Sequence, residues 1–341
     1  MAWPISVPPA DRLNYLNIGL MLLSCGVALF VPFELFLFAY AILGPAHYLT
    51  EISWLEKRRF FTPNKYDFSL LALLALLLFL SGPPATSQSF TFSSALYTAL
   101  ALGTALVLVL TDKPKLRIAG LAIAATIAFF LVQTFGFIAL LMALFVPTLI
   151  HVYLFTGIFM LFGSLKERSR SGYLAFAVFL LCPVLCYFLD PLRYTPSNYV
   201  VVSYWLGFSK LNLAVLGLDV PTTKAAGGAA ALAVFSSSTG LILMRFIAFA
   251  YTYHYFNWFS KTSIIKWHEV GRGRLAAIAI LWVAAVGIYV YDYTIGVKVL
   301  FGLSVLHVYL EFPLNHISIM GTFRELKSRV AGPALAPALE R

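Results

Sequence analysis

The chain has 341 residues, 61% of them hydrophobic and only 11% charged, with a mean hydropathy of +0.87. Soluble proteins carry roughly 25% charged residues, so a soluble globular fold is excluded. Repeated apolar runs of about 20 residues instead specify an all-α, polytopic integral membrane helix bundle. The formal net charge of +10 fits basic cytoplasmic loops facing anionic lipid, and no nucleic-acid partner is expected.

About ten spans are predicted in chain order. The N-terminus, MAWPISVPPADRLNY, lacks the basic region of a cleavable signal peptide, so the first apolar run, Leu16–Phe30, is expected to be retained. Val31 and Pro32 turn the chain into Phe33–Trp54. The basic link EKRRFFTPNK leads to Tyr66–Leu80, and the loop SGPPATSQS to Phe92–Leu110. DKPKLR precedes Ile118–Phe135 and Phe137–Phe162. SLKERSRSGY precedes Tyr173–Leu189. A long aromatic-rich loop, residues 190–225, follows. It reads either as an interfacial or re-entrant piece capping a cavity or as a simple interfacial connector. The last spans are Ala231–Phe259, Leu275–Tyr293 and Gly296–Met320. Residues 1–330 thus form one membrane domain, and 331–341 a small, proline-bearing tail expected to be disordered.

The charges support this map. The basic residues of EKRRFFTPNK, DKPKLR and SLKERSRSGY, together with Lys261, Lys266, Arg272, Arg274, Arg324, Lys327 and Arg329, fall in connections of one parity. By the positive-inside rule both termini are cytoplasmic, and the location is a bacterial-type inner membrane. Cys25, Cys182 and Cys186 all lie in apolar runs without a charged neighbour to make a thiolate, and read as small core residues.

Four histidines interrupt these runs: His47, His151, His254 and His307. Ionisable groups at membrane depth are expensive to insert and mark functional sites. Their helices all run from outside to inside. At 1.5 Å rise per residue, His47, His151 and His307 sit near mid-depth, within roughly 5 Å along the normal, while His254 lies later in a span whose start is soft. One such histidine reads equally as a hydrogen-bonded core residue. Four on co-directional helices point to one metal site, of the kind helix bundles assemble.

Glu51 and Glu311 each follow a histidine by four residues, on the same helix face. There a carboxylate can fix the tautomer of a metal-bound imidazole from behind, or ligate directly. His-Val-Tyr occurs twice, which adds Tyr153 and Tyr309 to the candidate catalytic residues beside Glu51 and Glu311. Pro45 and Pro147 are placed to kink the helices near the site. His268 reads as solvated, and Asn315 and His316 as lying nearer the inner interface. Arg245, two to three turns before His254, reads as a structural ion pair or the lining of a crevice. Imidazoles suit zinc, copper and iron. A four-nitrogen set backed by carboxylates suits non-haem Fe(II) with open positions for O2 and substrate. Haem is disfavoured because each helix offers one central histidine, and another transition metal is the lesser alternative.

At these residues the chain resembles the Brp/Blh-type family of membrane β-carotene 15,15′-dioxygenases. Pro45-Ala46-His47 with Glu51 is similar to the family's Pro-His-Gly-x-x-Asp element. Ile150-His151 is similar to its Ile-His-Phe-Gly element. His254 with Tyr255 and Phe256 is similar to the end of its His-x-x-x-His element, and His307 with Glu311 to its late Pro-His element with a following Asp. The chain departs from the family at Ala46, which separates Pro45 from His47, at Tyr48 in place of glycine, and at Ala250 where a second histidine would stand. Glutamates replace aspartates, and Glu311 is one residue closer. The resemblance implies histidine-bound iron and cleavage of β-carotene to retinal by O2. The expected function is therefore a membrane non-haem iron oxygenase acting on an apolar, carotenoid-like substrate drawn from the lipid. The alternatives are a proton- or metal-ion-coupled transporter and a non-catalytic assembly protein whose histidines only bridge helices.

Overall fold

Backbone in lipid must satisfy its own hydrogen bonds, and this chain does so as helix. The computed structural model describes residues 9–81, 88–189, 194–261, 266 and 270–330. It is 88% helical, with no strand among the described residues. The start of the N-terminus, residues 82–87 of the SGPPATSQS loop, residues 190–193, His268 and the tail 331–341 lie outside the described residues.

The helices are α1 (Pro9–Phe30), α2 (Pro32–Phe38), α3 (Gly44–Lys57), α4 (Phe68–Leu80), α5 (Gln88–Leu110), α6 (Pro114–Thr134) and α7 (Gly136–Leu140). There follow α8 (Thr156–Glu167), α9 (Arg170–Phe188), α10 (Asn198–Val215), α11 (Lys224–Phe235), α12 (Ser238–Ser260), α13 (Arg272–Tyr291) and α14 (Tyr293–Val330). Among the described residues, eight stretches are long and apolar enough to cross a membrane, α2 with α3 and α7 with α8 each counting as one. The pair α11 and α12 makes a ninth, bent by 61°. The remaining expected span, α4, has 13 residues. That is about 20 Å of helix, short of a hydrocarbon core of about 30 Å. The expected ten therefore resolve into eight or nine full spans and one short apolar helix.

The expected continuous span Ala231–Phe259 is corrected here, because the chain breaks at Ser236. The Ser237 hydroxyl accepts from the Gly240 N–H at 2.9 Å and caps α12. The bend also needs Gly240 itself: a Cβ there would lie 2.2 Å from the Ala233 carbonyl oxygen. Two π-helical stretches interrupt the other site helices. Ala39–Leu43 joins α2 to α3 just before Pro45, and Leu141–Phe155 joins α7 to α8 around Pro147. Proline lacks the N–H and crowds the preceding turn. Wide π turns absorb that conflict and gather at functional sites, so the kinks expected from the two prolines take this form.

Contacts sort the connections onto two faces. On one, Asn14 donates to Ser171 at 2.9 Å, Asp11 accepts from Ser171, and Arg329 donates to Tyr173 at 2.8 Å. Both described ends of the chain thus meet the 164–173 connection. Arg117 holds Asp67 through two hydrogen bonds of 2.7 and 3.0 Å, and Arg274 meets Glu56 at 2.7 Å. These are the basic connections expected to share a side. On the other face, Tyr194 donates to Glu34 at 2.5 Å and Tyr293 donates to the Ser203 carbonyl. Here α10 occupies half of the 190–225 loop and packs Tyr204 edge-on against Phe33 and Phe36.

Burial places two of the site-bearing spans, those of His47 and His307, at the centre. In Pro32–Lys57, 61% of the membrane window is buried, and in α14 50%; in α6 and α13 it is 11%, so those two line the lipid-facing edge.

Candidate metal centre

Helices α3, α12 and α14 and the π stretch before α8 each deliver one histidine to a single spot. His47, His151 and His307 are 1% exposed and His254 is 7% exposed. The Nε2 atoms of His254 and His47 are 3.0 Å apart, and those of His151 and His307 3.1 Å apart. One nitrogen from each ring falls within 4.8 Å of the others. Ring contacts close a circuit: His47 to His254 at 4.7 Å, His254 to His151 at 4.9 Å, His151 to His307 at 5.0 Å and His307 to His47 at 5.2 Å. His254, whose depth was open in the sequence, joins the other three because α12 begins as late as Ser238.

The donors fit a transition-metal ion. Nitrogens held at 2.0–2.1 Å stand about 3.3 Å apart at tetrahedral corners and about 2.9 Å apart at adjacent corners of a square. The two short Nε2 pairs lie between these values. Without an ion, each pair is one N–H···N hydrogen bond. That arrangement leaves Glu51 Oε2, Glu311 Oε2 and the Nδ1 atoms of His47, His151 and His307 without a hydrogen-bond partner. Each such buried orphan costs about 1–3 kcal/mol, and so many at one spot are compatible with a cation held among them.

The carboxylates lie where a metal site needs negative charge. Glu51 and Glu311 are 2% and 3% exposed. Glu51 Oε2 is 3.1 Å from Nε2 of His47, the expected pairing along one helix. It faces the inward nitrogen, so it stands beside the donor set rather than behind it. Glu311 departs from expectation. It lies 3.3 Å from Nδ1 of His151 on another helix, not against His307. Both contacts are close without being aligned as hydrogen bonds. Thr156 and His254 Nδ1 share a hydrogen bond of 2.8 Å, which leaves Nε2 of His254 free to face inward.

The candidate tyrosines point elsewhere. The Tyr309 hydroxyl bonds Thr98 at 2.8 Å, and Tyr153 stacks on Phe179 and donates to its carbonyl at 3.5 Å. The rings that line the histidines are Tyr48, Tyr255 and Trp258. Tyr48 stacks on His307 at 4.2 Å, and Tyr255 and Trp258 stand 5.1 and 5.6 Å from His47. Each is adjacent to, or one turn from, a site histidine in sequence, which is the signal that could have found them. Asn315, set aside as lying nearer the interface, is 2% exposed with both amide atoms unpartnered, one turn beyond Glu311. His316 meets the Leu102 carbonyl at 3.0 Å, a contact between helices.

Arg245 is structural. It is 1% exposed and donates to the Leu29 carbonyl at 3.2 Å and to the Leu189 carbonyl at 3.3 Å. Both carbonyls close helix C-termini, α1 and α9, where a cation is favoured. The cysteines are buried as expected, and Cys25 Sγ lies 3.9 Å from Cys186 Sγ.

Fold and site together define an integral multi-pass membrane protein with a buried four-histidine cluster compatible with a metal ion. No protein-family model, curated protein or solved structure matches the chain.

Proposed function

We propose that this protein is a membrane-embedded non-haem iron oxygenase acting with O2 on an apolar, carotenoid-like substrate. The observation that carries this reading is the convergence of four buried Nε2 atoms, two pairs of them at 3.0 and 3.1 Å, in the middle of lipid-spanning helices. Iron bound there supplies the binding and activation of O2. The chain's own residues do the rest. His47, His151, His254 and His307 hold the ion. Glu311 faces Nδ1 of His151, and Thr156 bonds Nδ1 of His254, which keeps those rings turned inward. Glu51 beside His47 offsets positive charge or adds a fifth donor. Tyr48, Tyr255 and Trp258 wall the site with apolar ring faces, and burial excludes water. A substrate of this class enters laterally from the lipid of a bacterial-type inner membrane, with both termini of the protein in the cytoplasm.

Metal analysis of the purified protein tests the reading. Wild type is expected to carry stoichiometric iron and His151→Ala to lose it. Absent iron, or iron indifferent to that change, overturns it. A cluster that carries no metal yet couples to proton movement would mark a transporter, and one that does neither a structural role. Expression in a carotene-accumulating host then tests the substrate: unchanged carotene with intact iron would assign the oxygenase a different apolar lipid.

A further inference from the structure

The four site histidines are not held alike. His254 has Thr156 at its Nδ1, and His151 has Glu311 there. His47 has Glu51 against its inward Nε2 and, like His307, no aligned partner at Nδ1; around His307 only the carbonyls of Leu303 and Ser304, one turn earlier, approach the ring. An imidazole with no aligned hydrogen bond at its outer nitrogen lacks one constraint on its terminal torsion, whose well is broad. Something else must fix this ring if its Nε2 is to meet that of His151.

Tyr48 does so by its face. Its ring lies 4.2 Å from the His307 ring at an interplanar angle of 21°, while the four histidine rings meet one another at angles of 64–81°. Tyr48 is 1% exposed, and its hydroxyl is bonded to that of Tyr255 at 2.7 Å, so the ring is pinned at its far end as well as at its backbone. Gly44, one turn earlier, makes the room. A Cβ at that position would lie 3.0 Å from the Tyr48 hydroxyl oxygen and 3.2 Å from the carbon that bears it. Gly44, Tyr48 and Tyr255 therefore act as one unit that presents a flat surface to His307.

We propose that Tyr48 is the positioning residue of His307, setting the ring plane by stacking where Thr156 sets that of His254 by a hydrogen bond. The proposal rests on the four histidines being metal ligands. It assigns the stacking, not the hydroxyl, as what matters at the site; the hydroxyl serves to hold the ring.

The test compares full-length Tyr48→Phe, Tyr48→Leu and Gly44→Ala with wild type. Iron affinity is read by chelator competition, and coordination geometry by the electron paramagnetic resonance of the Cu(II)-loaded protein. Tyr48→Phe keeps the ring and is expected to keep both the wild-type spectrum and an affinity within about 3-fold. Tyr48→Leu removes the ring and is expected to lower iron affinity by about 10-fold or more and to change the copper spectrum. Gly44→Ala is expected to move both readouts the same way with the tyrosine still present, which keeps the test alive if Tyr48→Leu does not fold. Wild-type spectrum and affinity in Tyr48→Leu, or in a folded Gly44→Ala, overturn the positioning role while the metal reading stands. A wild-type protein that binds neither iron nor copper overturns the metal reading, and this proposal with it.

Discussion

Glu311 Oε2 lies 3.3 Å from Nδ1 of His151, reaching from α14 to the π stretch before α8, and not against His307 on its own helix. The contact ties two of the four site elements together through one carboxylate. It also fixes which histidine depends on that carboxylate.

Glu311→Ala should therefore act through His151. In wild type it is expected to lower iron affinity by about 10- to 100-fold, the usual effect of removing a partner behind a ligating imidazole. Glu311→Gln, which keeps an oxygen facing Nδ1 of His151, should lose less. Chelator competition on wild type and the two variants checks this.

Tyr309→Phe should cost stability without touching the metal. The hydroxyl bonds Thr98, and both groups are buried. Removing a hydrogen bond of this kind costs about 1 kcal/mol. Iron content and affinity should match wild type, and Tyr153→Phe should behave likewise with a smaller loss. A drop in iron affinity for either variant would return that tyrosine to the site.

Arg245→Leu should destabilise the end of the bundle where α1 and α9 terminate. It leaves the Leu29 and Leu189 carbonyls without their donor, at about 1–3 kcal/mol for each orphaned group. Denaturation of the detergent-solubilised protein should report a loss of about 2 kcal/mol or more. The iron-to-protein ratio of the folded fraction should stay unchanged.

The pair of Asp67 and Arg117 predicts a pH dependence outside the spans. Burial raises the Asp67 pKa, but hydrogen bonds from Arg117 and from the Asn64 backbone N–H, together with the Arg117 charge, outweigh it and leave the carboxyl below its ordinary value. A carboxyl with a depressed folded pKa contributes stability that is complete above its unfolded value, about 3.9, and is lost as pH falls through the folded one. Thermal stability should thus decline below about pH 4, and Asp67→Asn should flatten that part of the profile while lowering stability at neutral pH. An identical acid limb in the variant would show that the pair does not contribute.

Hydropathy and charge determined much of this protein from sequence alone. Lipid leaves a helix no alternative for its backbone, so apolar runs fix where helices lie, and the cost of burying histidine singles out His47, His151, His254 and His307 before any fold is known. The pairing of His47 with Glu51 was also legible, since an i, i+4 relation is set by one helix's own geometry. The rest depended on how helices turn toward one another. Rotation about a helix axis sent Glu311 to His151 and Tyr309 to Thr98, brought Tyr48 over His307, and aimed Arg245 at two helix ends. The π stretches lie beside Pro45 and Pro147, which mark them in the sequence. Where each helix face points arises from packing between distant segments, which no local pattern of residues records.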